Sequence, residues 1–473
     1  MKHRVIIFFT FFLSACAVGP DYVQPSMQMP VEYKEFAKAP DDAVWKIADP
    51  QDMQARGQWW LIFNDPQLNQ LEDQLNISNQ TIINAKANYQ QAHAMVNEAR
   101  AAFFPILTGS GSITRQRQTT SSITPSDHAL TTILDSHSAL LDASWEPDLW
   151  GSVRRNVEAN VAGEQASAAL LASTRLSVQA LLAQSYFQLQ ALDSDQKILD
   201  DTVLKYEKLL QLTQHQYNAG VAMRADIVQA KTVLQTTQAQ AINNGIARAQ
   251  TEHAVSVLIG KPPAEFSLKP SPLTATPPSI PVQLPSVLLE RRPDIAQAER
   301  LMAQANAKIG VAIAAYFPSI TLSATGGFVG NGFSHWFSMP LFNWALSPQL
   351  AQTIFDGGAR SAQVDAARAA YEASVASYRQ TVLSAFQDVE DQLVALRILD
   401  AQSVLLEQAA VNAQEALILV INQYKAGTVA YASVANAEIS AFTAQKNLAD
   451  IQGLRMTTAV GLIKALGGGW KLF

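Results

Sequence analysis

Apolar residues recur along this chain with two different periods. From 67 to 102, and again from 286 to 315, they fall at helical spacing among Ala, Gln and Asn, and each run stops ahead of a proline, Pro105 or Pro318. Beyond those prolines the period drops to two. In "PSITLSATGGF" the residues Ser319, Thr321, Ser323 and Thr325 share one face, while Ile320, Leu322, Ala324 and then Phe328 share the other. Thr108, Ser110 and Ser112 repeat that phase earlier in the chain, and in "WALSPQLAQTI" Leu346, Pro348, Leu350 and Ile354 alternate with Ser347, Gln349, Ala351 and Thr353. The alternation predicts strand pairs at about 104–146 and about 317–355. Residues 151–219 and 358–426 hold no proline and few glycines, with an apolar residue every three to four positions. Each predicts a helix that reaches ~100 Å if unbroken, at 1.5 Å per residue. A globular domain has no use for such a rod, whereas a helical hairpin bundle crossing a wide aqueous compartment does.

The pattern is written twice. "QYNAGVAMRADIVQA" (216–230) aligns with "QYKAGTVAYASVANA" (423–437), Gly260 with Gly467, "AFFPIL" (102–107) with "AYFPSI" (315–320), and "LWGSVR" (149–154) loosely with "IFDGGAR" (354–360). The matches keep one order, which marks a tandem duplication. Between the copies, residues 262–285 carry eight of the 21 prolines, a composition for extended linker. The expected division is a leader over 1–15, an extended N-terminal segment over 16–65, a first repeat over 66–261, the linker, a second repeat over 286–467, and a tail over 468–473.

Cysteine occurs once, as Cys16, directly after a short apolar run with Lys2 and Arg4 ahead of it and Ser14-Ala15 before the cysteine. This reads as a secretory signal, too short to span a bilayer. Leu13-Ser14-Ala15-Cys16 is similar to the lipobox of bacterial lipoproteins. That resemblance implies cleavage before Cys16, S-diacylglycerol on its thiol and an N-palmitoyl group on its amine. Ala17 follows, not the aspartate that retains lipoproteins in the inner membrane, so the same resemblance points to the outer membrane. The plain alternative is an ordinary signal peptide with an incidental cysteine.

Charge and composition then narrow the classes. The formal charge of −6 becomes −8 once Lys2 and Arg4 leave with the signal, which gives no basic field for nucleic acid. After the leader no apolar run approaches 18 residues, so no transmembrane helix is expected. The two-faced strands suit either a barrel wall with a wet lumen or a soluble hairpin with one buried face. Trp145, Trp150, Trp336 and Trp344, at or near the expected strand ends, favour the membrane, where aromatic girdles sit. Four strands cannot close a membrane barrel, whose smallest examples have about eight, and open edges are not tolerated in lipid. Several chains must therefore share one barrel.

Catalytic and metal signatures are missing. The seven histidines (His3, His93, His128, His137, His215, His253 and His335) show no HExxH or comparable spacing, and neither a GxSxG elbow nor a P-loop occurs. "GGFVGNG" (326–332) lacks the GxGxxG order and reads as a hairpin tip. No cofactor is expected beyond the lipid, and no enzymatic activity.

The residues "VGPDYVQP" (18–25), "WWLIFNDPQLNQL" (59–71), "WEPDLWGSVRR" (145–155), "ERRPDIAQAERLMAQANAKIGVAIAAYFPSITL" (290–322), "IFDGG" (354–358) and "ALGGGW" (465–470) resemble the TolC-like outer membrane efflux family, in its lipoprotein branch. The resemblance spans essentially the whole mature chain. It implies a mixed α and β membrane protein in which a homotrimer closes a 12-stranded outer membrane β-barrel, continued by a long periplasmic α-helical barrel. It also implies docking on a periplasmic adaptor and an inner-membrane pump, often of the RND class. The closed end of such a tunnel lies at the helix corners "YNAG" (217–220) and "YKAG" (424–427). There the resemblance assigns a latch to Tyr424 and Asp226, against the alternative that Asp226 is an ordinary helix-start carboxylate. Where the family often carries two constricting aspartates, this chain has Ser433 and Asn436. Glu438 is then either a weaker substitute for the ring or part of a solvated face. The rival readings are a lipid-anchored periplasmic helical adaptor or scaffold without a pore, and an enzyme on a lipid anchor.

Overall fold

The computed structural model describes residues 17–25, 33–35, 57–120, 130–278, 280, 291–331 and 337–468. The leader, Cys16, Trp336, residues 281–285 of the linker and most of the expected tail lie outside them. The chain divides into two compact units. One comprises Met1–Pro25, Gln90–Ala166 and Ala298–Tyr378, and the other Ser26–Tyr89, Ser167–Gln297 and Arg379–Phe473.

In chain order, a 3-10 turn at Trp59–Phe63 precedes helices α1 (Pro66–Ser78) and α2 (Gln80–Ala101) and strands β1 (Ile106–Thr120) and β2 (Leu130–Trp145). Helices α3 (Ser152–Asn218), α4 (Arg224–Leu258) and α5 (Pro293–Ala314) follow, then β3 (Ser319–Gly330), β4 (Phe342–Ala351), α6 (Ala359–Lys425) and α7 (Tyr431–Ala465). The duplication is visible in the geometry. α3 and α6 each have 67 residues, α4 and α7 each have 35, and both pairs are offset by 207 positions (359 − 152 and 431 − 224).

In the first unit the strands form one antiparallel sheet in the order β1-β2-β3-β4, with an unbroken register. Because side chains alternate strictly along a strand, that register sorts them into faces. Thr108, Asp142, Thr325 and Ala345 form one cross-strand row, and Leu107, Ala143, Ala324 and Leu346 the next row on the opposite face. Ser319, Thr321, Ser323 and Thr325 thus fall on a common polar face, interrupted by Ile106, Leu134, Leu140 and Val329. Leu322, Trp344, Leu346 and Leu350 lie on the apolar face and are exposed in the single chain. Two expectations need correction. The glycine-rich run is not a hairpin tip, because Gly326, Gly327 and Gly330 are inside β3. Glycine is required there by close approach, since a Cβ on Gly327 would collide with the Ala139 carbonyl oxygen. β4 also ends at Ala351, so Thr353 and Ile354 are outside the strand, and Trp344 is its third residue. Pro348 stands in β4, an edge strand of this sheet, where a missing N–H is tolerated.

Both long helices start in the same way. Asp148 accepts hydrogen bonds from the backbone N–H of Val153 (3.0 Å) and Arg154 (2.9 Å), and from the Arg154 side chain (3.1 Å). Asp356 accepts from the N–H of Gly358 (3.0 Å) and Arg360 (3.3 Å), and from the Arg360 side chain (2.6 Å). Each carboxylate satisfies orphan amides of a first helical turn. The N-terminal segment is stitched to this unit. Arg155 donates to the Val18 carbonyl (3.2 Å) and to Asp21 (2.8 Å), Asn306 to the Pro20 carbonyl (3.0 Å), and Tyr22 to Glu299 (2.6 Å). The Arg155 side chain lies over Gly310, where a Cβ would come within 2.7 Å of it.

The second unit holds the main core. Trp59, Trp60, Phe63, Leu68, Leu75, Phe187, Ile259 and Met456 form one buried cluster, with the Phe63 and Phe187 rings 4.9 Å apart. Fully burying side chains of this size is worth about 1.5–3 kcal/mol each. The expected single helix over 67–102 is two helices, broken at Asn79. Its side chain caps α2 by accepting from the Ile82 N–H (3.0 Å) and donates to the Leu258 carbonyl (2.7 Å). The described part of the linker is irregular but bolted down. Arg248 bridges Asp193 (2.6 Å) and the Leu268 carbonyl (2.9 Å), and Ser271 N–H donates to Asp193 (2.8 Å). Windows of 18 residues in α3 and α6 reach mean hydropathies of 1.3 and 1.5, enough by length and composition to cross a membrane, although no run is continuously apolar.

If the apolar face meets lipid, Leu346→Arg should cost about 2–4 kcal/mol near the midplane, while Ser347→Arg on the polar face should be tolerated. Refolding yield into lipid vesicles measures the difference, and equal behaviour would refute the assigned faces.

Candidate functional site: the helix corners and the polar sheet face

The corners joining α3 to α4 and α6 to α7 are built alike. Gly220 and Gly427 have φ of 79° and 74°, in the left-handed region that side chains disfavour. Val221 N–H bonds the Gln216 carbonyl (2.8 Å), and Thr428 N–H bonds the Gln423 carbonyl (3.0 Å). These bonds close both helices with Schellman-type ends. Leu209, Ala230, Tyr424, Tyr431, Val434 and Ala435 form a buried cluster here, in which the Tyr424 and Tyr431 rings meet edge to face at 6.0 Å.

Within the chain Tyr424 and Asp226 do not form the expected latch. The Tyr424 hydroxyl is turned into the cluster and donates to Thr213 Oγ1 at 3.4 Å. Asp226 is the third residue of α4 and accepts from the Met223 N–H at 2.9 Å, the helix-start role. Burial is the main influence raising the Tyr424 hydroxyl above its ordinary pKa, and Asp226 adds a small share. Ser433 and Asn436 are exposed and three residues apart, so they share one face of α7.

Glu438 is neither on a solvated face nor open to water in the chain. It is 4% exposed, and its Oε2 has no hydrogen-bond partner. Desolvation pushes its carboxyl up to about 7, with Lys205 pulling the other way. Its charge in turn helps raise Tyr206 and Tyr431, both of which are driven up chiefly by burial.

The "RRPD" block is structural in this unit. Buried Arg292 donates to Asp294 (2.7 Å), Asp388 (2.9 Å) and the Ala465 carbonyl (3.1 Å), which ties the start of α5 to the end of α7. Among the described residues no group of three or more His, Cys, Asp or Glu is placed to hold a metal ion.

On the polar sheet face the structure adds a residue that the sequence reading passed over. Asp142 accepts from Thr325 Oγ1 (2.7 Å) and Ser110 Oγ (3.2 Å), across three strands, and the Ser112 and Ser138 hydroxyls meet at 2.8 Å. Its signal was available in "LLDASW", a lone charge in phase with the polar positions of a strand. Thr213, the partner of Tyr424, carried no such signal.

The Glu438 carboxyl makes stability depend on pH. The folded chain prefers the neutral acid, so the burial cost is absent below the ordinary value near 4.5 and grows until pH passes about 7. Between pH 5 and 8 the wild type should lose about 1–3 kcal/mol that Glu438→Gln does not lose. Parallel thermal unfolding at the two pH values measures this, and identical shifts would refute it.

A profile of the outer membrane efflux protein family matches residues 71–261 and 284–468. The probable efflux pump outer membrane protein TtgC of Pseudomonas putida is 31% identical over 464 residues, covering 97% of this chain and 94% of its own. The pyoverdine export outer membrane protein OpmQ of Pseudomonas aeruginosa is 30% identical over 477 residues, covering 100% and 98%. The structure superposes on the open state of the Neisseria gonorrhoeae MtrE outer membrane channel with a TM-score of 0.78 at 28% identity, over 96% of this chain and 98% of that one. Helix-rich, with one four-stranded amphipathic sheet, the chain belongs to the outer membrane efflux protein family, a family of transport channels and not of enzymes, as an outer membrane channel subunit with a periplasmic helical portion.

Proposed function

We propose that three copies of this chain close one twelve-stranded barrel in the outer membrane and one helical tunnel beneath it. The tunnel serves a tripartite efflux system with a periplasmic adaptor and an inner-membrane pump of the RND class. The observation that carries this reading is the sheet itself, with an apolar face, a polar face and two edges, β1 and β4, that pair with no strand among the described residues. Three four-stranded sheets joined edge to edge leave no open edge in lipid. The helices support the same stoichiometry. Ile398, Leu405 and Leu419 of α6 share one face at seven-residue spacing and are exposed in one chain, an apolar stripe that neighbouring helices would cover. An adaptor or scaffold without a pore would have no use for the two-faced sheet. The relatives are named for drug, toluene, cation and pyoverdine export, so the cargo assigned here is a class: drugs or other small toxic compounds.

The narrow end of the path is assigned to the helix corners, with Ser433 and Asn436 on the water side and Tyr424 and Asp226 holding the corners. Any Tyr424–Asp226 latch then forms between subunits. Cys16 is assigned as the lipidated residue. Support comes from its neighbours: Ala17 packs against Gly151, and Val18 N–H donates to the Trp150 carbonyl at 3.1 Å. The Trp150 and Trp145 indoles donate to the carbonyls of Pro318 (2.7 Å) and Phe103 (3.0 Å), at the junctions of strands and helices where an interfacial girdle would lie.

In detergent the protein should have a mass near three mature chains, and it should conduct ions in planar bilayers with a current that Ser433→Trp reduces. A monomer with full strand content, or the absence of any conductance, would sink the proposal. Labelled palmitate should enter the wild type and not Cys16→Ser. Equal incorporation would show that the lipid is elsewhere.

A further inference from the structure

We infer that Asp142 is the fixed charge that sets ion preference in the barrel, one carboxylate per subunit forming a ring that favours cations and positively charged solutes. The inference rests on the trimeric channel proposed above and goes beyond it by naming the selectivity residue.

Register and alternation carry the argument. The polar face holds residues 106 to 118 of β1 at even positions, their partners 132 to 144 in β2, and the odd residues of β3 and β4. Every other residue in those rows is uncharged, so Asp142 is the single ionisable group on that face among the described residues. The charged strand residues Arg115, Arg117 and Asp135 occupy the opposite parity, and Arg115 and Asp135 pair with each other at 3.5 Å. Among the described residues no cation pairs with Asp142, which is half-buried, not sealed. Thr325 and Ser110 each donate one hydroxyl to it, at 2.7 and 3.2 Å, which fixes its direction without neutralising its charge. A carboxylate held in this way projects an uncompensated negative field into whatever water the face encloses, and rings of acidic side chains are how cation-selective pores are built.

At the corners the Asp226 carboxylate is engaged as a helix start by the Met223 N–H. Ser433 and Asn436 bring no charge there, and Glu438 is buried. A wide barrel with three carboxylates acts through space, so its preference must fade as salt screens it, with a Debye length near 10 Å at 0.1 M and about 3 Å at 1 M.

The test is reversal potential in planar bilayers under a potassium chloride gradient. The wild type should prefer potassium at low salt and lose that preference at 1 M, which is the screening range above. Asp142→Asn retains the side-chain shape and an acceptor oxygen, and the hydroxyls can turn to suit its amide. It should assemble and lose the low-salt preference, and Asp142→Lys should reverse it. Thr325→Val removes one aiming bond but leaves the charge, and Asp135→Asn alters a charge on the other face; both should retain the wild-type sign. An unchanged reversal potential in Asp142→Asn would overturn the inference while leaving the channel intact. Absence of current from the wild type would bring down the channel reading together with the ring.

Discussion

A strand in lipid cannot leave its backbone N–H and C=O groups without partners, because no water is present to replace them and each orphan costs several kcal/mol. In this chain that rule bears on two edges, the outer sides of a 15-residue β1 and a 10-residue β4. The fold can be understood as an answer to it. The sheet is amphipathic so that one face can meet hydrocarbon, and it is incomplete so that copies are needed to finish it. The same incompleteness runs into the helices, where the apolar stripe on α6 has no cover within the chain. A subunit of this kind is unfinished at the sheet edges and the helix face that another copy would meet.

Duplication supplies the economy. One unit of strand pair, long helix, glycine corner and shorter helix is made twice, and the two copies agree in helix length to the residue. They differ where function can use a difference. The first corner carries Asp226 as a helix-start carboxylate, while its counterpart at the same offset is Ser433. Beyond the second corner Glu438 is buried beside Tyr206 and Tyr431, whereas its counterpart in the first copy is the exposed Lys231.

Much of the fold was legible because its signals are long. Helices of 67 residues without proline, strands with a strict period of two, and repeated corners ending in glycine leave little room for another reading. The misses are local. Asn79 breaks a helix because its short amide side chain serves two helix ends at once, and that depends on Leu258, far along the chain. The glycines of β3 looked like a turn because composition cannot distinguish a loop from a place where two backbones nearly touch. Glu438 looked like a surface residue because a lone acid in an alanine-rich helix carries no mark of which way its face points. Of the candidate site, the polar row from Ser319 to Thr325 could be read from alternation. Asp142 needed the register across β2 and β3 to show what holds it.

The stitching of the N-terminal segment has a kinetic side. Tyr22 finds its partner 277 positions away, Pro20 at 286 and Gln24 at 354. Contacts so distant in sequence close the largest loops and form late. The residues that leave the ribosome first are therefore among the last to be seated, and they wait until the second repeat has been delivered.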